Sequence, residues 1–111
     1  MKLSYRTSNN ICIIDFAERL TLTETLEMEI SLTALSNMDF EGYVLDFTKV
    51  QRIDSSGIGL VIAFFNRLRK REIKAVLCPN EYLTSLFRKA NLSDVIPTYS
   101  TEEEAVSSFQ N

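Results

Sequence analysis

Asp54-Ser55-Ser56-Gly57 carries two hydroxyls, a carboxylate and one of only three glycines in the chain. Gly59 follows two residues later. An apolar run, Tyr43 to Phe47, precedes the tetrapeptide after a short polar step, and a helical pattern follows it. Asp54, Ser55 and Ser56 therefore fall at a helix N-terminus, where side-chain oxygens accept hydrogen bonds from the unpaired N–H groups of the first turn. Those donors, with the positive end of the helix dipole, also suit a phosphate. Two readings are open at this point: Asp54 or Ser55 is simply a cap, or one hydroxyl is a site of modification.

The elements that must position this turn can be read from periodicity. Leu3 and Tyr5 alternate with polar neighbours, Asn9-Asn10 supplies turn residues, and Ile11 to Phe16 is rich in β-branched side chains, which predicts a hairpin. Leu22, Leu26, Ile30 and Ala34 recur every fourth residue, and Thr21 with Glu24 has capping-box spacing, so a helix is expected from Leu22 to Ser36. Tyr43 to Phe47 reads as a central strand covered by helices. After the Asp-Ser-Ser-Gly turn, Ile58, Val61, Ile62, Phe65 and Leu68 share a helical stripe that ends in Arg67, Arg69, Lys70 and Arg71. Leu60 and Phe64 lie off that stripe, beside the serines. They are read as the apolar part of a partner surface, with packing beneath another helix as the alternative.

Ile73 to Cys78 is a further strand stopped by Pro79. Asn80 can cap a third helix with Leu83, Leu86, Phe87 and Ala90 on its apolar face and Asn91 at its end. Val95 and Ile96 suggest a last short strand, and Thr101 with Glu104 opens a final short helix. The expected fold is α/β, one domain over residues 1–111, with a mixed sheet of four to five strands and about four helices.

Composition excludes several function classes. A net charge of −3 argues against nucleic acid as the main partner. There is no histidine for a Ser-His pair, no phosphate-binding glycine loop and no cysteine spacing suited to zinc, so neither an enzyme nor a cofactor or metal is expected. The longest apolar run, Ile58 to Phe65, is far short of the ~20 residues of a membrane span. A cytosolic protein with buried, reduced Cys12 and Cys78 is the expectation. Glu102 to Glu104 read as a dipole-matched acidic first turn, and Arg67 to Lys74 as a solvated basic helix end.

The strand Val44-Leu45-Asp46-Phe47, the spacer with Val50 and the run from Ile53 to Leu60 together resemble the STAS domain family of bacterial anti-sigma factor antagonists. The order of elements agrees over essentially the whole chain. Family members often carry a Gly-x-Leu-Asp run after the second strand; the matching run here is Ala17-Glu18-Arg19-Leu20-Thr21, without that carboxylate. The resemblance implies phosphorylation of Ser55 by an anti-sigma factor serine kinase and its removal by a serine phosphatase. The partner surface expected beside Ser55 comprises Asp54, Ser56, Gly57, Gly59, Leu60 and Phe64. In its unphosphorylated form such a protein binds the kinase and frees a sigma factor or another client. The alternative is a constitutive STAS-like accessory subunit, such as those attached to lipid transporters, which is never phosphorylated.

Overall fold

A computed structural model describes residues 3–92, 94 and 96–110. The chain begins with strand β1 (Leu3–Ser8), which pairs antiparallel with β2 (Ile11–Phe16). Asn9 and Asn10 both take positive φ, 48° and 68°. Asparagine tolerates this left-handed backbone, which a two-residue loop needs if its twist is to match that of the strands. β4 (Gly42–Asp46) and β6 (Lys74–Cys78) extend the sheet in parallel, giving the order β1-β2-β4-β6. Helices α1 (Leu22–Ser36) and α2 (Ser55–Lys70) are the crossovers between these parallel strands, and α3 (Glu81–Lys89) and α4 (Glu102–Ser107) complete the fold.

β2 and β4 are apolar on both faces because helices cover both sides. Cys12, Ile14, Phe16, Tyr43 and Leu45 point into the main core with side chains of α1, α2 and α3. Ile11, Ile13 and Val44 point the other way, to Ala105 of α4. Arg6 anchors α4 over this second face by pairing with both Asp15, through Nε at 2.7 Å, and Glu102. Glu102 is thus an ion-pair partner as well as a first-turn acid.

The helix expected over Leu22–Ser36 forms, and the faces expected of α2 and α3 are corrected. The Leu22/Leu26/Ile30 row lies on the outside of α1, 63, 68 and 75% exposed, and Ala34 is exposed with it. The core face is Thr25, Met28, Leu32 and Leu35, whose alternating three- and four-residue spacing follows one side of a 3.6-residue turn. Similarly, α2 buries Gly57, Val61, Phe64 and Leu68, while Ile62 of the expected stripe is exposed. In α3, Leu83 and Phe87 are buried, but Ala90 is an exposed C-cap. Asn91 then takes φ 60°, and the Leu92 N–H reaches the Phe87 carbonyl at 2.9 Å to close the helix end.

The expected strand at Val95 and Ile96 does not form at Ile96, which is buried in a bend; Val95 lies outside the described residues. A single parallel bridge forms further on, between Thr98 and Leu77. The basic helix end is also less solvated than expected. Arg67 donates to Thr33 Oγ1 at 2.8 Å, and Arg71 donates to the Ser36 carbonyl, so both tie α2 to α1.

Cys12 and Cys78 are buried and unpaired as disulfides. Burial pushes the Cys12 thiol up to about 12 and, with Asp46 nearby, the Cys78 thiol up to about 11. Both stay protonated at neutral pH. Native protein treated with a thiol reagent at pH 7 should therefore label only as fast as it unfolds, and rapid labelling of either cysteine would contradict this.

Candidate functional site

Two very short strands that carry no periodicity bring the site together. β3 (Arg19–Leu20) pairs in parallel with β5 (Arg52–Ile53), with Leu20 opposite Ile53. The next residue on each strand is therefore a helix cap: Thr21 for α1 and Asp54 for α2. The two helix N-termini lie side by side.

Asp54 serves both. Its Oδ1 accepts from Ser56 N at 3.0 Å, Gly57 N at 3.2 Å and the Ser56 hydroxyl at 2.5 Å. Its Oδ2 accepts from Leu22 N, the first residue of α1, at 3.1 Å. One carboxylate thus satisfies orphan donors on two helices. At α1, Glu24 completes the capping box by accepting from Thr21 N at 3.0 Å and from the Thr21 hydroxyl.

Hydrogen bonds to the charged form hold both carboxyls below their ordinary range. For Asp54 the Ser56 hydroxyl contributes most, followed by the N–H groups of Gly57, Leu22 and Ser56; for Glu24 the Thr21 side chain and backbone dominate. A depressed folded-state pKa stabilises the fold fully above the ordinary value, 3.8 for Asp54, and the stabilisation is lost as pH falls through the folded value. Thermal unfolding should therefore shift to lower temperature below about pH 4. Asp54→Asn, which still caps but does not titrate, should flatten that limb; an unchanged acid limb would show that Asp54 is not one of its sources.

The two serines differ in what holds them. Ser56 is half-buried, and its hydroxyl is committed to Asp54. Ser55 is exposed at the first position of α2, and its hydroxyl makes no hydrogen bond among the described residues. The two glycines differ as well. A Cβ on Gly57 would stand 2.3 Å from the Leu20 carbonyl oxygen and 2.7 Å from Ile53 Cγ1, so the β3–β5 pair can approach α2 only because residue 57 has no side chain. A Cβ on Gly59 would meet nothing within 4 Å. Gly57→Ala should cost about 1–3 kcal/mol of stability. Gly59→Ala should hold or raise stability, since alanine is the better helix former. Equal melting behaviour of the two variants would contradict the geometry.

Leu60 and Phe64 separate in the structure. Leu60 is half-buried and borders a groove of about 300 Å³ between α1 and α2, together with Leu22, Leu26, Ser56 and Gly59. Phe64 is 1% exposed and packs edge-on against Tyr43, with ring centroids 5.6 Å apart. Its ring therefore belongs to the core, because α2 turns its Val61/Phe64/Leu68 side to the sheet, and it reaches the groove only as part of its lining. The exposed apolar residues that share the groove with Ser56 are instead Leu22 and Leu26 of α1, and Ile30 continues their row along the helix. Their four-residue spacing in the sequence marks a helix over Leu22–Ser36 without saying which of its sides is buried.

Residues 2–105 match the family profile of the STAS domain. The chain belongs to the STAS domain family. An anti-sigma-B factor antagonist of Listeria monocytogenes is 39% identical over 67 residues, which cover 58% of this chain and 59% of that protein. The Listeria innocua anti-sigma-B factor antagonist matches to the same extent, so the matched stretch spans less than two thirds of either curated relative. Among solved structures, a STAS domain protein of Planctomyces limnophilus superposes with a TM-score of 0.90 at 21% identity, covering 98% of each chain. The Bacillus cell fate determinant SpoIIAA in its phosphorylated form gives 0.76 at 18% identity, covering 97% of this chain and 99% of that one. These likenesses fix the fold as a single STAS domain with a mixed four-stranded sheet, a separate parallel pair and four helices. No helix among the described residues is long and apolar enough to cross a membrane.

Proposed function

We propose that this STAS domain is an anti-sigma factor antagonist whose binding to a partner is switched by phosphorylation of Ser55. The observation that carries the reading is the contrast between the two serines: the Ser55 hydroxyl is exposed and unbonded, whereas that of Ser56 is held by Asp54. A kinase needs a hydroxyl it can reach and orient. At Ser55 the added charge also falls within the first turn of α2, where the dipole favours it.

In this reading the unphosphorylated domain binds an anti-sigma factor serine kinase, and the sigma factor or other client held by that kinase is released. Phosphorylation ends the complex, and a serine phosphatase restores it. The apolar part of the docking surface is the groove bordered by Leu22, Leu26 and Leu60, with Ile30 extending it along α1. Ser56, the neighbour of Ser55 in the chain, lines it together with Gly59, which leaves open backbone there. Asp54 and Gly57 act from below by fixing the turn, and Ser56 by completing the Asp54 cap.

Incubation with the cognate kinase and ATP, followed by peptide mass spectrometry, tests the site. One phosphate on Ser55 is expected, in the wild type and in Ser56→Ala alike. Phosphate on Ser56 alone, or no phosphate at all, would overturn the proposal. The docking surface has its own test: Leu26→Ala and Gly59→Ala should keep the wild-type melting temperature to within a few degrees, and Leu26→Ala should weaken kinase binding by about tenfold or more.

A further inference from the structure

On the side of α2 remote from Ser55, the outer edge of β6 is only partly covered. The Cys78 carbonyl accepts from Phe47 N at 2.9 Å, so Cys78, Val76 and Lys74 turn their backbone groups toward β4. Leu77 and Ala75 face outward. Leu77 is satisfied on that side, with its N–H donating to the Pro97 carbonyl and its carbonyl accepting from Tyr99 N, both at 2.9 Å. The N–H and C=O of Ala75, two residues earlier on the same edge, have no partner among the described residues.

Ala75, 6% exposed, lines a cavity of about 220 Å³ walled by Phe65 of α2, Ile73, Leu92 and Ile96. Its charged lining is Arg69 and Lys74, and no carboxylate lines it, although the chain as a whole carries −3. Lys74 Nζ donates to the Ser108 carbonyl at 3.1 Å and lies 4.9 Å from the centre of the Phe109 ring, so its charge is held on the α4 side, whereas the Arg69 guanidinium makes no hydrogen bond or ion pair among the described residues.

We propose that this edge is a second docking site, one that takes a short extended segment of a partner protein with apolar side chains and an acidic residue. A donor and an acceptor that no described residue pairs, on one sheet edge, fit an added strand, which also relieves the cost of leaving them without a partner beneath apolar walls. The walls take alternate side chains, and the Arg69 guanidinium selects a carboxylate. The segment is short because Pro97 to Tyr99 already occupy the edge at Leu77.

The probe is the peptide acetyl-Glu-Val-Ile-Val-Glu-amide, titrated into the 15N-labelled domain up to about 1 mM, a range that detects affinities typical of small sites. The Ala75 amide should shift and gain protection from solvent exchange, with shifts at Phe65, Ile73 and Ile96 and none at Ser55 or Gly59. Arg69→Glu, at an exposed position, should weaken binding by about tenfold or more while the domain keeps its melting temperature. A titration that leaves Ala75 unmoved would overturn the proposal, as would equal binding of a peptide with lysine in place of both glutamates.

Discussion

Ser55→Asp is expected to lose kinase binding by about a hundredfold or more while unfolding at nearly the wild-type temperature. The two effects separate because the new charge meets different surroundings in the fold and in the complex. Within the fold, residue 55 opens α2, its side chain is exposed and unbonded, and the first-turn dipole favours a negative group. Nothing already bonded has to be displaced. In the complex, the same charge stands one residue from the groove-lining Ser56 and next to Asp54, whose carboxyl stays ionised well into acid because Ser56, Gly57 and Leu22 donate to it. A partner packed over that groove must strip water from a compact pair of anions or stand away from them, and a cost of about 3 kcal/mol is enough for the hundredfold loss. Genuine phosphate, at about −1.5 to −2 charges, should act in the same direction more strongly. Ser55→Ala should bind the kinase throughout and accept no phosphate. Calorimetric titration of the three proteins decides the matter: a Ser55→Asp domain that binds as tightly as wild type would sink the switch.

The parts of this molecule that were legible in the sequence are those whose signals are local. Asn9-Asn10 marks a hairpin because few other residues accept two positive φ values in a row. Thr21 with Glu24, and Asn80 ahead of Leu83, fix two helix starts through contacts three residues apart. The Asp-Ser-Ser-Gly turn was legible for the same reason. Features that depend on distant pairing were not. β3 and β5 are two residues each, too short for any period to show, yet they bring residues 32 apart together so that Asp54 caps α1 as well as α2. Without that pair, Gly57 could be read only as a helix-start glycine, whereas its role is to admit the Leu20 carbonyl. Helix faces failed differently. α1 and α2 each carry apolar residues on two sides, and periodicity alone does not say which side meets the sheet. The excess apolar side of α1 is what remains for a partner.

Phe64→Ala should be the most damaging of the substitutions considered near the site, and its damage should fall on the fold. The ring is fully enclosed, contacting Tyr43 edge-on, and Tyr43 in turn meets Phe40 at 5.7 Å and donates its hydroxyl to the Leu35 carbonyl of α1. Truncation leaves a cavity where α2 and α1 close over β4, which rigid neighbours on a sheet cannot fill. Phe→Ala changes of this kind cost about 3–5 kcal/mol, a large part of the 5–15 kcal/mol that holds a typical domain. For a chain of this size the melting temperature should fall by on the order of 15 °C. Leu26→Ala removes a comparable apolar group from the exposed side of α1 and should shift it by only a few degrees. The comparison separates fold from surface: at a temperature where Phe64→Ala is still mostly folded, its kinase affinity should be close to wild type, whereas that of Leu26→Ala should not. If Phe64→Ala instead melts like wild type and binds poorly, the ring belongs to the partner surface, and the assignment of α2 faces given above is wrong.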